Sequence, residues 1–263
     1  YVYVGAGWEK ELRLFALTRE GDKQVVKYNF QKKEDSALAG LAVHNGTMVC
    51  SLPALKQLLF IDVKGKKVLG TAELADTSGL AFDKDGKLLV LVAKQLRRYT
   101  LPATLGEKIT LPEPQVVVTK LEDPQQIAFD KDGNIYVSDR GNSHQVKVFS
   151  VEGKPVRTIG VAGIPKAGPY DANHMNSPAG MTVDGNGKLW VAEEDYQPKR
   201  VSVWTLDGKL LKAFYGPSMY GGGGTLDHTD KTRFYFNGME FKLDWEKGTD
   251  QLTSVLFRPA PGD

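Results

Sequence analysis

A single cysteine, Cys50, leaves the chain without an internal disulfide, a paired-cysteine metal site or a dithiol redox couple. It stands in the apolar run Thr47-Met48-Val49-Cys50, where a small buried core residue is expected. An excess of one charge sign is missing as well. The 34 Lys and Arg residues against 32 Asp and Glu leave a formal net charge of +2, which gives no pull toward nucleic acid or an anionic membrane. No apolar run approaches the roughly 20 residues that span a bilayer. Helical periodicity is absent, no serine or histidine occupies a nucleophile elbow, and Gly221 to Gly224 has no following Lys-Ser or Lys-Thr to make a phosphate cradle. What remains is a chain of 263 residues, 41% hydrophobic, with ample material for a core.

What is there is one phrase repeated. Gln126-Ile127-Ala128-Phe129-Asp130-Lys131-Asp132-Gly133-Asn134-Ile135-Tyr136-Val137 is a short apolar strand, an Asp-Gly turn and a second apolar strand. The phrase recurs from Gly79 to Val90 and from Gly180 to Val191, more weakly from Gly40 to Val49, and in degenerate form from Gly224 into Arg233-Phe234-Tyr235-Phe236. Its first position falls at residues 40, 79, 126, 180 and 224, spacings of about 39, 47, 54 and 44 residues, the period of four-stranded propeller blades. A third strand follows each hairpin, as in Val146 to Phe149 and Val201 to Trp204. A fourth closes the unit, as in Pro155 to Ile159 and Leu210 to Phe214. One such sheet cannot bury both faces alone, so sheets must cover one another. Continuous apolar runs such as Leu88-Leu89-Val90-Leu91-Val92 fit strands buried on both faces.

The segment from Pro124 to Gly160 resembles a near-complete NHL repeat, with Tyr136-Val137-Ser138-Asp139, Gly141-Asn142, Val146-Lys147-Val148-Phe149 and Glu152-Gly153-Lys154 in order. Ser177 to Gly216 resembles a second copy, and residues 36 to 122 hold two weaker ones. The resemblance implies an all-β, six-bladed β-propeller of four-stranded antiparallel blades, one domain over residues 1–263. Tyr1-Val2-Tyr3-Val4 reads as the second strand of an incomplete first blade, so a piece of a longer protein is expected. The last blade resembles segments of large extracytoplasmic bacterial propellers, which implies a secreted or extracytoplasmic location.

Such a fold does not name a function. Pro178-Ala179-Gly180-Met181 is similar to the metal-binding strand of gluconolactonase-type propellers, but Ala179 stands where that family has its ligand Asp, and Gln125-Gln126 where its Asn is expected. A metal-assisted hydrolase or lyase is therefore the alternative reading. His44 and His228 abut hairpin turns, on the opposite side from the blade connections that hold His144 and His174, which disfavours a three-histidine zinc site. The Asp-Lys-Asp-Gly phrases at 83 to 86 and 130 to 133 lack a downstream bidentate Glu and read as turn chemistry. Glu193, Glu194 and Asp195, with Asp139, Asp171 and Asn173, form an acidic set whose oxygens would suit Ca²⁺, or whose charges pair with Lys199 and Arg200. No resident cofactor is expected beyond that ion.

The long connection from Gly160 to Ser177 is the most distinctive stretch, because loops of this length in compact repeats are usually functional. Its end, with Tyr170, Asp171, Asn173 and His174, combines an aromatic face with polar groups. Tyr196, Trp8 and Arg140 complete the candidate ligand-binding set. The leading expectation is a non-catalytic propeller that binds a glycan, peptide or partner protein on this loop face; a plug packed over the propeller is the competing one. NHL propellers that bind RNA do so through a basic face, against which the acidic loop and balanced charge argue.

Overall fold

An aspartate at the end of a strand organises each of four hairpins in the computed structural model, which describes residues 2–18, 21–194, 197–216, 224–236 and 238–255. Asp130 shows the device. Its Oδ1 accepts the backbone N–H groups of Asp132 (3.0 Å) and Asn134 (2.9 Å), and its Oδ2 accepts the Asn134 amide (2.8 Å) and the Tyr136 hydroxyl (3.1 Å). Asp184 does the same for Asn186 and Lys188, with the Trp190 indole N–H as the last donor at 2.9 Å. Asp227 takes Thr229, Asp230 and Tyr235, and Asp83 takes Asp85 and Lys87 while its second oxygen faces Arg98 Nε at 3.3 Å. The Asp-Lys-Asp-Gly phrases thus spend their first carboxylate on their own turn. Where the aspartate is missing, His44-Asn45-Gly46-Thr47 makes a two-residue turn, with φ of 47° at Asn45 and 78° at Gly46.

The strands these turns connect form six antiparallel sheets in chain order, the blades of a six-bladed β-propeller. The first has three strands, β1 (Val2–Trp8), β2 (Glu11–Thr18) and β3 (Gly21–Asn29). The second is β4 (Gly40–His44), β5 (Thr47–Leu52), β6 (Gln57–Asp62) and β7 (Lys67–Glu73). The third is β8 (Thr77–Phe82), β9 (Leu88–Val92), β10 (Gln95–Tyr99) and β11 (Gln115–Val118). The fourth is β12 (Pro124–Phe129), β13 (Ile135–Asp139), β14 (Gln145–Phe149) and β15 (Pro155–Ile159). A two-residue strand, β16 (Gly168–Pro169), precedes the fifth sheet, β17 (Pro178–Val183), β18 (Lys188–Glu193), β19 (Arg200–Thr205) and β20 (Leu210–Tyr215). The sixth is β21 (Thr225–Leu226), β22 (Arg233–Phe236), β23 (Met239–Asp244) and β24 (Thr249–Val255), with β16 added at its edge. The described residues contain no α-helix, only 3₁₀ turns at Glu34–Ser36 and Pro53–Leu55, and no helix long and apolar enough to cross a membrane.

Two compact units divide the chain: Tyr1–Val137 with Phe149–Val156, and Ser138–Val148 with Arg157–Asp263. In the first, the period-2 alternation of a strand sends both of its faces into apolar layers. Met48 and Cys50 of β5 pack with Leu12 and Leu14 of β2, while Val49 between them packs with Leu88 and Val90 of β9. Leu89 and Leu91 point the other way, onto Ile135 and Val137. All five residues of β9 are buried, at about 1.5–3 kcal/mol for each fully buried large side chain. Cys50 is the expected core residue, fully buried, and that burial pushes its thiol up to about 12. The first strands of the second, third and fourth blades lie so close that side chains are excluded. A Cβ on Gly40 would stand 3.0 Å from the Leu80 nitrogen, and one on Gly79 2.4 Å from the Gln125 carbonyl oxygen. Gln126, which holds the glycine position of the fourth repeat, donates its amide to the Ala39 carbonyl at 2.8 Å.

Candidate functional site

The connection between β15 and β17 lies in the second unit, and its backbone is tied down at its start and from Gly168 onward. Gly160 accepts the Gln145 side-chain amide at 2.7 Å. Val161 forms a parallel bridge with His174 and donates to the Asn173 carbonyl at 2.8 Å, and Gly163 donates to Ser143 at 2.8 Å. Gly168 and Pro169 pair with Val255 and Ser254 of β24, and Tyr170 donates to Thr253 at 2.9 Å. Asp171 then turns the chain: its Oδ1 accepts both the backbone and the side-chain N–H of Asn173, each at 2.9 Å. Those bonds hold its carboxyl below the usual carboxylate range.

The anchor beneath the loop is a buried ion pair. Glu193 and Arg200 face one another across the β18–β19 ladder, and both side chains are 0% exposed. Arg200 Nε donates to Glu193 Oε1 at 2.8 Å. Its terminal nitrogens donate to the Tyr170 hydroxyl (2.6 Å) and to the carbonyls of Ala172 and His174 (2.8 Å each). Glu193 also accepts the Ser202 hydroxyl (2.6 Å) and the Asn176 backbone N–H (2.7 Å), and the Trp204 indole N–H donates to Ser202 at 2.8 Å. Burial pushes the Glu193 carboxyl up, against the opposing pull of Arg200 and these donors. One guanidinium therefore binds three residues of the loop, and its counter-charge is fixed inside the sheet. A buried pair of this kind is fully satisfied or very costly.

Around this clamp the candidate residues separate. Tyr170 is half-buried, edge-on to Tyr215 with ring centres 6.2 Å apart, and burial pushes its phenol above its ordinary range. Asp171 and Asn173 are exposed. The His174 ring is half-buried; its Nδ1–H donates to the Gly163 carbonyl at 2.9 Å, and its Nε2 stands 3.8 Å from Asp171. Arg140 forms an ion pair with Glu194. Asp139 is fully buried against Lys147 at 2.8 Å. Asp195 and Tyr196 lie outside the described residues, and Trp8 is described only in its backbone, opposite Glu11 in the first unit. The carboxylates that a calcium ion would use are thus divided: Asp139 to Lys147, Glu193 to Arg200, Glu194 to Arg140. No group of three or more His, Cys, Asp or Glu residues among the described ones is placed to hold a metal. Ala179 is 5% exposed with its carbonyl taking the Ser138 hydroxyl at 2.7 Å, so the gluconolactonase-type ion does not fit this strand.

Two cavities open beside the clamp. One, of about 450 Å³, lies between the 141–144 turn and the start of the long loop, lined by Gly141, Asn142, His144, Ile164, Lys166 and His174 among others. His144 has φ of 48° and accepts the backbone N–H of Ser177, itself at φ of 53°, at 3.0 Å. The other, of about 560 Å³, is lined by Ala192, Val201, Phe214, Tyr215 and Lys199 above the ion pair. Arg200, which organises the region, was assigned no more than a surface pairing by its sequence. The usable signal was position: Glu193 closes β18 and Arg200 opens β19, so the two stand opposite one another where these adjacent strands are joined, and opposite charges meet there.

The NHL repeat family pattern matches residues 121–149, the segment that makes β12 to β14. The fold is similar to that of a protein of unknown function from Bacteroides caccae, at 14% identity over 92% of this chain and 81% of that one, TM-score 0.52. It is similar as well to a catalytically inactive virginiamycin B lyase from Staphylococcus aureus with quinupristin, at 10% identity over 98% and 89%, TM-score 0.54. A functionally unknown protein from Desulfotomaculum acetoxidans matches at 16% identity over 84% and 83%, TM-score 0.53. At such identities the likeness is one of fold.

Proposed function

We propose, on the premise that the chain is an NHL-repeat β-propeller, that it works as a non-catalytic binding module whose ligand face is the loop from Gly160 to Ser177 with the neighbouring Arg140–Glu194 pair. The observation that carries this reading is the set of bonds that ties the loop to the sheets. A connection of this length held by strand pairing, an Asx turn and a buried guanidinium is ordered before any ligand arrives, so little conformational entropy is left to lose on binding. The groups it presents suit recognition: exposed Asp171 and Asn173, the half-buried His174 and a cavity of about 450 Å³ at its base. Glycans, peptides and partner proteins all fit that chemistry. Probing glycan and peptide arrays with the labelled chain tests the proposal. Binding that is lost when Asp171 and Asn173 are both changed to alanine supports it; blank arrays, or binding indifferent to that change, contradict it.

A further inference from the structure

We infer that His144 is a pH-sensitive latch, which holds the C-terminal end of the long loop while its imidazole is neutral and releases it on protonation. The latch itself rests on hydrogen-bond geometry; its consequence, that acid weakens the proposed ligand face, rests on the binding reading above.

The direction of one hydrogen bond carries the inference. The Ser177 backbone N–H donates to His144 Nδ1 at 3.0 Å. A backbone N–H only donates, so Nδ1 is bare and the ring neutral, with its hydrogen on Nε2. Protonation adds a hydrogen to Nδ1, and two donors then face one another across the contact. His174 is arranged the other way. Its Nδ1–H donates to the Gly163 carbonyl at 2.9 Å, a bond the protonated ring keeps, and the added hydrogen goes to Nε2, 3.8 Å from the Asp171 carboxylate. Both imidazoles line the cavity at the base of the loop, and acid breaks the contact of one while sparing that of the other.

The backbone at the latch shows why one bond matters. His144 and Ser177 both have left-handed φ, at 48° and 53°, a region costly for residues with a side chain. Ser177 also precedes Pro178, whose ring biases the residue before it toward extended backbone. The bond to His144 holds Ser177 in this conformation, and the Ser177 carbonyl in turn accepts the Glu194 N–H at 3.1 Å. Ser177 thus joins the 141–144 turn to the residue that follows β18. Among the described residues, the charged and titratable groups around the latch come from three elements. Lys166 and His174 of the loop line the same cavity, Arg140 accepts the His144 N–H through its carbonyl at 2.7 Å, and Glu194 after β18 pairs with Arg140.

The latched ring is neutral, so the latch is complete above the midpoint of a free histidine and is lost as pH falls through it. With an ordinary midpoint of about 6.5, the open population rises about thirtyfold between pH 7.5 and pH 5.0. The test is amide hydrogen exchange of the whole chain at those two pH values, corrected for the intrinsic pH dependence of exchange and read at Ser177. The expected result is a loss of protection of about thirtyfold in the wild-type chain. His144→Asn puts an acceptor oxygen where Nδ1 stands, does not titrate and tolerates left-handed φ, so Ser177 should stay protected at both pH values. His174→Asn keeps a donor for the Gly163 carbonyl and should respond as the wild type does. Unchanged protection in the wild-type chain, a full response in His144→Asn, or a lost response in His174→Asn would each overturn the latch. Should His144→Asn not fold, ¹⁵N spectra of the wild-type imidazole decide. Nε2–H at pH 7.5, with a titration midpoint that matches the loss of Ser177 protection, supports the latch, and Nδ1–H overturns it. Blank arrays beside a pH-dependent latch remove the binding reading and leave this one; a ligand on the arrays beside a pH-indifferent Ser177 does the reverse.

Discussion

Replacing Arg200 by Met keeps most of the side-chain volume and removes the charge that joins the loop to the sheet. The wild-type guanidinium makes four hydrogen bonds of 2.6 to 2.8 Å, one to Glu193 and three to Tyr170, Ala172 and His174. The three loop acceptors can turn to water if the loop lifts. Glu193 cannot, because it is locked between Ser202 and the Asn176 N–H at 2% exposure. The stranded carboxylate sets the magnitude, and removal of one partner of a buried pair costs about 3–5 kcal/mol. Urea unfolding followed by tryptophan fluorescence should show that loss, since Trp204 donates to Ser202 inside the same network. Glu193→Leu combined with Arg200→Met leaves no buried charge and should recover much of it. Trypsin should cut after Lys166 at least tenfold faster in Arg200→Met than in wild type, because the loop is no longer held. A single variant within about 1 kcal/mol of wild type, with an unchanged cleavage rate, would refute the clamp.

Three further outcomes follow from the same structure. Gly79→Ala should cost about 1–3 kcal/mol or more, because the new Cβ would meet Gln125 and Gln126 backbone at 2.4 and 2.7 Å, while Gly180→Ala at the same repeat position, with its nearest atom at 4.0 Å, should stay within about 0.5 kcal/mol; denaturation of the two variants compares them. The Trp190 indole holds Asp184, and the Thr229 and Thr232 hydroxyls hold Asp227 and Asp230, below the usual carboxylate range, Asp230 at about 2. Lowered folded-state values give stabilisation that is complete above the unfolded value near 4 and is lost as pH falls toward 2, so Tm should fall mainly across that window and less so in Asp230→Asn. Cys50, with its thiol raised to about 12, should resist alkylation at pH 8 in the native chain and react on unfolding.

Local chemistry explains which features could be read in advance. The hairpin phrases became β4–β5, β8–β9, β12–β13, β17–β18 and β21–β22 because an Asp or Asn-Gly turn and the flanking apolar runs lie within a dozen residues of one another. The apolar run of β9 announced a strand buried on both faces. The two long strands β2 and β3 carry no copy of the phrase and went unassigned. Gln126 looked like a lapse from the glycine pattern; its amide instead spans 87 residues of sequence to reach Ala39. β16 is two residues long and exists only because β24, far along the chain, offers an edge. The acidic set read as one cluster because its members are close in sequence or type, but Asp139, Glu193 and Glu194 each met a different cation once the strands were in register. Tertiary partners of that kind leave no local trace.

Amide hydrogen exchange across residues 160 to 177 tests the central claim, that the loop is built and held before ligand arrives. The bonds from the N–H groups of Val161, Gly163, Tyr170, His174 and Asn176 predict slow exchange there, approaching that of β18 and β19, and fast exchange in Arg200→Met. Exchange at the rate of an open surface loop in the wild-type chain would contradict the account.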